Sequence, residues 1–273
     1  MNILAVVLFF ILGAAFGSFL NVVADRLLSG QSLVNPPSHC PSCQRRIAYK
    51  DVIPILSFIL LRGRCRYCGT SIPLRSVLVE LFGAILFALL FWHYGITWEL
   101  VIVLVYCCLF IALIITDIEK GILPNRLVYS GMIISLGISI IGTIFGYETS
   151  FISDTNARLF RLWILEAALG GVAGFIILFI IALIFRGGMG WGDVKLAGFI
   201  GIAAGYPLVF IAIFLAVVAG GLISVVLVLA KIRGRKETIP FGPFLAVAAI
   251  ATLVWGSQLL NWYLAASILP FAK

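Results

Sequence analysis

The chain consists of long apolar segments separated by shorter polar ones. A helix that crosses a membrane needs about 20 apolar residues. On that basis the pattern predicts eight helices, at Ile3–Val23, Val77–Trp92, Leu100–Thr116, Leu127–Ile144, Trp163–Ile184, Val194–Ala204, Pro207–Leu229 and Pro240–Trp255. The sixth segment is short and rich in glycine, and the stretch after the eighth extends it or lies at the interface. The predicted fold is an all-α polytopic membrane protein with about eight transmembrane helices.

The composition points the same way. Of the 273 residues, 63% are hydrophobic and 11% are charged, whereas ordinary globular proteins contain about 45–50% and about 25%. The mean hydropathy is +1.18. These values exclude a soluble enzyme, a disordered chain, a coiled coil and a disulfide-rich secreted fold.

The distribution of basic residues predicts the orientation in the membrane. Of the 19 Lys and Arg residues, 16 fall in segments that eight helices would place on one side: Ala24–Ser76, Asp117–Arg126, Arg186–Lys195 and Ala230–Ile239. By the positive-inside rule this side is cytoplasmic and the N-terminus lies outside. The net charge of +8 is therefore explained by topology and by contact with anionic membrane lipid, and nucleic-acid binding is not expected.

One long polar insert, residues 24–76, separates the first predicted transmembrane helix, residues 1–23, from a multi-helix membrane domain, residues 77–273. The insert contains two Cys-x-x-Cys motifs, or knuckles: Cys40-Pro-Ser-Cys43 and Cys65-Arg-Tyr-Cys68. Two such knuckles allow four thiolates to bind one tetrahedral ion, which predicts a structural zinc site in a small cytoplasmic loop domain. Free thiols and two disulfides are the alternatives, and a cytoplasmic location disfavours disulfides.

Two acidic residues near the predicted cytoplasmic face are candidates for catalysis. Asp117 ends the third predicted helix and Asp193 begins the sixth. An ionisable group at membrane depth is costly unless it is functional or paired. Two carboxylates at one depth can share a proton and a water, so that one acts as acid while the other deprotonates the attacking water. This is the chemistry of an aspartyl protease.

Other interpretations of these acids remain open from spacing alone. A single acid at a helix end is commonly a cap or an ion-pair partner, and Lys120 and Lys195 are available as such partners. We expect structural roles for Glu80 and Glu166. A proton-coupled carrier would use the acid pair as a relay, and a scaffold would use only the zinc loop to recruit partners.

The glycines before Asp193 remove side chains where a substrate backbone would approach. They are Gly188, Gly190 and Gly192. This is not a dinucleotide-binding fingerprint, because the position of the third glycine in G-x-G-x-x-G holds Asp193 and no strand precedes it.

Nearly the whole chain resembles the type IV prepilin peptidases, integral-membrane aspartyl proteases of the G-x-G-D kind. The elements that carry the resemblance, in chain order, are Gly17-Ser18-Phe19-Leu20-Asn21-Val22-Val23 with Arg26, Cys40-Pro-Ser-Cys43, Ile53-Pro54-Ile55-Leu56-Ser57, Arg62-Gly63-Arg64-Cys65-Arg66-Tyr67-Cys68-Gly69, Pro73-Leu74-Arg75 with Val79-Glu80, Asp117 with Pro124-Asn125, Gly188-Met189-Gly190-Trp191-Gly192-Asp193-Val194-Lys195-Leu196, and Pro240-Phe241-Gly242-Pro243.

The resemblance implies a function. It implies cleavage of the short basic leader of prepilins and pseudopilins after a glycine, at the cytoplasmic face of a bacterial inner membrane, for type IV pili or type II secretion. It makes Asp117 and Asp193 the catalytic pair. Members with the four-cysteine loop commonly also methylate the new N-terminus with S-adenosylmethionine. The expected active-site loop residues are Gly190, Gly192, Lys195 and Pro124.

Overall fold

The computed structural model describes residues 3–33, 37–145, 163–184, 189–231 and 239–268. Within these ranges there is no β-strand, and two isolated bridges join His39 to Arg46 and Arg64 to Ser71. The longer helices are α1 Ile3–Ser29, α2 Leu56–Leu60, α3 Leu74–Tyr94, α4 Trp98–Lys120, α5 Asn125–Phe145, α6 Trp163–Ile184, α7 Trp191–Ala204, α8 Leu208–Leu229 and α9 Gly242–Ile268. The prediction of an all-α fold is confirmed.

All eight predicted segments are helices. Seven helices in the described ranges, all of those above except α2 and α7, are long and apolar enough to cross a membrane. Helix α7 corresponds to the short sixth segment and has 14 residues. At about 1.5 Å per residue it measures about 21 Å, which is less than the hydrocarbon core of about 30 Å.

The chain forms two compact units, Met1–Cys108 and Leu109–Lys273. In the first unit, α1 packs against α3 through glycines that bring the two backbones into contact. A methyl group on Gly17 would lie 2.8 Å from the Cα atom of Glu80, and one on Gly83 would lie 2.7 Å from the carbonyl oxygen of Gly13. Small residues of this kind are typical of helix packing in membranes, where backbones approach closely.

In the second unit, α7 is the central helix and contacts α5, α6, α8 and α9. After Lys195 its side chains are apolar on every face, as expected of a helix that is surrounded by others. Phe199 packs on Phe110 of α4 with ring centroids 5.0 Å apart, and both rings are fully buried. The short length of α7 is therefore compatible with its position, because other helices rather than lipid cover it.

Candidate active site

Asp117 lies near the end of α4, in the turn before the helix stops. The helix ends where Gly121 adopts a φ of +61°, and the amide of Gly121 donates a hydrogen bond to the carbonyl of Asp117 at 2.8 Å. The chain then passes through Leu123 and Pro124 before α5 begins at Asn125. The side chain of Asp117 is buried, with 5% of the residue exposed.

Asp193 lies at the opposite kind of helix end, in the first turn of α7. Its amide donates to the carbonyl of Gly190, the residue that precedes the helix, at 3.1 Å. Only 8% of Asp193 is exposed. The first turn is the positive end of the helix dipole, while Asp117 lies at the negative end of α4. The two acids therefore occupy the contrasting helix positions that the sequence predicts.

The fold brings these two acids together. Their carboxyl groups lie within electrostatic range of each other. The backbone of Gly242 lies beside the buried Oδ2 atom of Asp117, but among the described residues no donor makes a hydrogen bond of good geometry to this atom. A buried carboxylate oxygen without a donor is costly, and such atoms are typical of sites that bind water or a substrate. The pair is therefore positioned to act on one small group.

Glycine backbone surrounds the acid pair. A methyl group on Gly242, the first residue of α9, would lie 2.5 Å from Oδ2 of Asp117 and 3.3 Å from Cδ1 of Leu123. One on Gly192 would lie 3.1 Å from Cβ of Leu123, and one on Gly190 would lie 3.5 Å from Oδ2 of Asp193. Gly190 therefore lies beside the carboxyl group of Asp193 and Gly192 lies beside Leu123, whereas Gly188 lies outside the described residues.

Lys195 and Pro124, the other two expected loop residues, make their hydrogen bonds to residues of α5 and not to the carboxylates. The Nζ atom of Lys195 donates to Oδ1 of Asn125 at 3.0 Å and lies 5.7 Å from the centre of the Tyr129 ring. The carbonyl of Pro124 accepts hydrogen bonds from the first turn of α5. Lys195 therefore joins the start of α7 to the start of α5.

The four predicted metal ligands converge in the first unit. The sulfur atoms of Cys40, Cys43, Cys65 and Cys68 all lie within 4.8 Å of one another. Each knuckle has the same backbone geometry. The amide of Cys40 donates to the carbonyl of Arg45 at 3.0 Å, and the amide of Cys65 donates to the carbonyl of Thr70 at 2.8 Å. The cluster could hold one metal ion, because four sulfur atoms at these separations can reach a common centre.

The surroundings of the knuckles favour thiolates on two of the cysteines. The hydroxyl and amide of Thr70 lower the pKa of Cys68 to about 6. The amides of Cys43 and Ser42 lower the pKa of Cys40. For Cys43 the amide of Arg45 also acts to lower the pKa, but burial and the neighbouring thiols outweigh it and raise the pKa to about 11. A cation at the centre of the cluster would remove the repulsion that these closely spaced sulfurs impose on one another.

Two family models match this chain. Residues 11–94 match the bacterial peptidase A24 N-terminal domain, and residues 104–225 match the type IV leader peptidase family. The chain belongs to the type IV leader peptidase family. The first match contains all four clustered cysteines, and the second contains both acids. The family predicted from the sequence is confirmed.

Several curated members of the leader peptidase family align with almost the entire chain. A prepilin leader peptidase/N-methyltransferase of Bacillus subtilis (strain 168) is 32% identical over 255 residues, which cover 93% of this chain and 96% of the relative. Relatives with the same name from Stutzerimonas stutzeri and Pseudomonas aeruginosa are 31% and 30% identical, over 96% and 93% of this chain and 93% and 91% of their own lengths. No solved structure matches the chain.

Membership of the leader peptidase family does not favour the carrier or the scaffold. Both alternatives were compatible with an acid pair and a cysteine cluster taken separately. The family matches cover both features in one chain. The protein is a multi-pass membrane protein, because seven of its helices in the described ranges are long and apolar enough to cross a membrane.

One contact at the site was not predicted from the sequence. Gly242 was part of the Pro240-Phe241-Gly242-Pro243 element, but nothing in that element indicates Asp117 as its neighbour. The available signal is compositional. A Pro-Phe-Gly-Pro segment marks a break before a helix, and glycine at such a break permits close approach of another group.

Proposed function

We propose that this protein is a prepilin peptidase that uses Asp117 and Asp193 to hydrolyse the leader peptide bond. One observation carries the proposal: two buried carboxyl groups from separate helices interact in a chain that belongs to the type IV leader peptidase family. The relatives in that family are named for prepilin leader cleavage. The proposed substrates are prepilins and pseudopilins.

The chemistry follows from the shared environment of the two acids. One carboxylate accepts a proton from a water molecule as the water attacks the scissile carbonyl, while the other, protonated, acid donates a proton to the carbonyl oxygen. Collapse of the tetrahedral species then breaks the C–N bond, and the leaving amine takes up a proton from the acid pair. Because the two acids interact, their protons belong to the pair and not to either residue alone.

The glycines at the site suit a scissile bond that follows a glycine. Gly190 and Gly242 present backbone beside the carboxyl groups, and Gly192 presents backbone beside Leu123. An extended substrate backbone can therefore approach without displacing a side chain of these residues. A prepilin presents an apolar helix preceded by a short basic leader. Such a helix packs among transmembrane helices and positions the bond at the depth of the acids.

We further propose that the protein is oriented with this site on the cytoplasmic side of a bacterial inner membrane. The basic residues of the connecting segments support this orientation. The leader is basic and would remain on the same side as the acids. Anionic lipid would contact the same basic segments at about 1 kcal/mol per residue.

The cysteine cluster is proposed to bind one structural zinc ion. Four thiolate ligands complete a tetrahedral shell and leave no position for a substrate. In the described part of the loop between α1 and α3, Cys40 is the one buried apolar residue, so the ion would stabilise the fold of the loop. Zinc would also account for four cysteines held in proximity without a disulfide among them.

Metal analysis tests the zinc proposal. We expect one zinc per chain in the wild type, and replacement by Co²⁺ should give the intense visible absorption of a tetrahedral thiolate site. The variant Cys68→Ser should lose that spectrum, whereas Cys108→Ser, which alters a thiol in α4, should keep it. A wild-type protein that contains no metal after purification and does not bind Co²⁺ would refute the proposal.

Methylation of the new N-terminal residue is the second proposed activity, and it rests on the names of the relatives. Those names join cleavage and methylation in one protein, and the two alignments cover 93% and 96% of this chain. S-adenosylmethionine would supply the methyl group.

Mass spectrometry of a prepilin incubated with the purified protein tests cleavage. We expect wild type to release the leader, and Asp117→Asn and Asp193→Asn to release none while retaining the unfolding temperature of the wild type. Glu119→Gln is the matched control, since Glu119 is an exposed acid two residues from Asp117 and its replacement should preserve cleavage. Cleavage by either Asn variant at the rate of the control would contradict the assigned pair.

A further inference from the structure

The first unit contains a cavity that proteolysis does not use. It has a volume of about 400 Å³ and lies between α1, the cysteine loop and the start of α3. Cavities of roughly 300–1,000 Å³ bind small molecules. Many of the elements that carry the family resemblance meet here: the lining includes Ser18, Asn21, Arg26, Ser57, Arg75 and Glu80.

One buried polar atom in the cavity wall, Oδ1 of Asn21, is available to bind a ligand. Asn21 is 6% exposed, and its Nδ2 atom donates to the carbonyls of Gly17 and Ser76 at 3.2 and 3.1 Å. Among the described residues, no donor reaches its Oδ1 atom. Since buried acceptors are nearly always satisfied, Oδ1 of Asn21 is positioned to accept a hydrogen bond from a bound molecule.

The wall also carries charges of both signs. Asp25 and Arg75 form an ion pair at 2.8 Å, and Arg26 donates to the carbonyl of Ser32 at 2.9 Å. Apolar and aromatic side chains, among them Phe58 and Tyr67, complete the lining. Such a mixture accommodates a ligand with an apolar ring, hydroxyl groups and both a cationic and an anionic end.

The loop that closes the cavity is held in a strained conformation. Ile55 has a φ of +62°, which is unfavourable for a β-branched residue. Glu80, on α3, stabilises it by accepting a hydrogen bond from the Ile55 amide at 2.7 Å. Backbone strain of this kind persists where surrounding contacts fix it, and it is concentrated at binding sites.

We propose that this cavity binds the methyl donor S-adenosylmethionine. The inference rests on the proposed methyltransferase activity and assigns its site. The donor contains a purine, a ribose with two hydroxyls, a sulfonium cation and an amino acid end. Phe58 and Tyr67 suit the purine, Oδ1 of Asn21 suits a hydroxyl or ammonium donor, and the arginines suit the carboxylate.

The assigned reaction is balanced without any further reactant. The bond between the sulfonium sulfur and the methyl carbon breaks, and its electron pair remains on sulfur as a neutral thioether. The neutral N-terminal amine of the cleaved substrate supplies the electron pair for the new N–C bond. The resulting secondary ammonium carries the positive charge and exchanges its proton with water.

Equilibrium binding of S-adenosylhomocysteine to the full chain in detergent tests this assignment. Ser18→Phe places a large side chain on the cavity wall, and Asn21→Leu removes the acceptor. We expect each to weaken binding at least tenfold. Ala15→Phe is the matched control, because Ala15 lies on the exposed face of the same helix, and its binding should equal that of the wild type.

The unfolding temperature shows whether each cavity variant folds. If one does not, photocrosslinking of the wild type tests the assignment without a variant. Wild type irradiated with labelled S-adenosylmethionine should carry the label on peptides within residues 18–80. Label confined to residues 109–273, or wild-type affinity in both folded cavity variants, would overturn the assignment. If instead the wild type neither binds the probe nor adds a methyl group to a substrate that it cleaves, the methyltransferase function itself fails.

Discussion

Gly242 contacts the carboxyl group of Asp117 although the two residues are far apart in the sequence. A side chain at position 242 would meet Oδ2 of Asp117 at 2.5 Å and Cδ1 of Leu123 at 3.3 Å. Asp117 is buried, so a side chain at position 242 would have to displace its carboxyl group. The position of the Asp117 carboxylate, proposed to be catalytic, therefore depends on the absence of one methyl group.

The substitution Gly242→Ala tests this dependence. The added methyl group should displace the Asp117 carboxylate by about an ångström, and misplacement of that size costs roughly 100-fold in rate. We expect kcat for prepilin cleavage to fall by this factor, with little change in KM. Steady-state kinetics with a synthetic prepilin measure both values.

A second glycine provides the control for that experiment. A methyl group added to Gly137 on α5 would have no atom within 4 Å, so Gly137→Ala should leave kcat unchanged. If Gly242→Ala cleaves as fast as Gly137→Ala, the carboxylate does not require the space that we assign to it.

The residue scale also shows what the sequence can and cannot predict. Asp117 and Asp193 were predicted because charged groups are rare in apolar segments, and the cysteines because their spacing is characteristic. Contacts across the fold left no such signal. Lys195 was available to pair with an acid, but it donates to Asn125, since the position of α7 against α5 is fixed by packing and not by local sequence.

At the scale of elements, the crossing of α6 and α7 determines where Asp193 lies. Backbone contacts backbone at this crossing: a methyl group on Gly201 would collide with the carbonyl of Gly170, and one on Gly174 would collide with the carbonyl of Ala197. Nothing larger than hydrogen fits there. The glycines therefore fix the separation of the two helices.

Replacement of Gly201 by valine should separate α7 from α6. Overpacking costs about 1–3 kcal/mol even where side chains can adjust, and here the opposing group is backbone. We expect a lower unfolding temperature and reduced cleavage, because α7 carries Asp193. Gly221→Val on α8 is the control, since a methyl group there meets nothing within 4 Å. Equal stability of the two variants would contradict the proposed role of this crossing.

The helices themselves were well predicted from hydropathy, and their ends were not. Helix α1 was expected to end at Val23 but continues to Ser29. Helix α9 continues past Trp255 to Ile268, which is one of the two arrangements expected for that stretch. Polar residues such as Asn21 and Arg26 mark the loss of apolar character, yet the backbone stays helical because α1 packs on α3. The cavity was missed for this reason: its polar residues lie on helices, in segments assigned to a membrane span or to a loop.

At the scale of the whole molecule, the distribution of charge predicts which connections face the cytoplasm. Two exposed positions report on opposite sides. Tyr49, in the cysteine loop, is 83% exposed, and Ile96, between α3 and α4, is 86% exposed. Tyr49→Cys should react with a membrane-impermeant maleimide only from the cytoplasmic side, and Ile96→Cys only from the outside.

Labelling of inside-out and right-side-out vesicles measures this orientation. The wild type, treated in parallel, corrects for its six native cysteines. The same sidedness for both introduced cysteines would mean that α3 does not cross the membrane. The reverse pattern would place the acid pair outside and would separate it from the basic leader that it is proposed to cleave.

The central claim is that Asp117 and Asp193 act together on one water molecule. The most direct test is kcat/KM for prepilin cleavage in wild type, Asp117→Asn, Asp193→Asn and the double variant, with unfolding temperatures measured for each. Residues that act as a unit are strongly non-additive. We predict that each single replacement lowers kcat/KM by roughly 1,000-fold or more and that the double variant is no slower than either. Losses that multiply in the double variant would contradict a shared mechanism, and so would a folded single variant that cleaves at the wild-type rate.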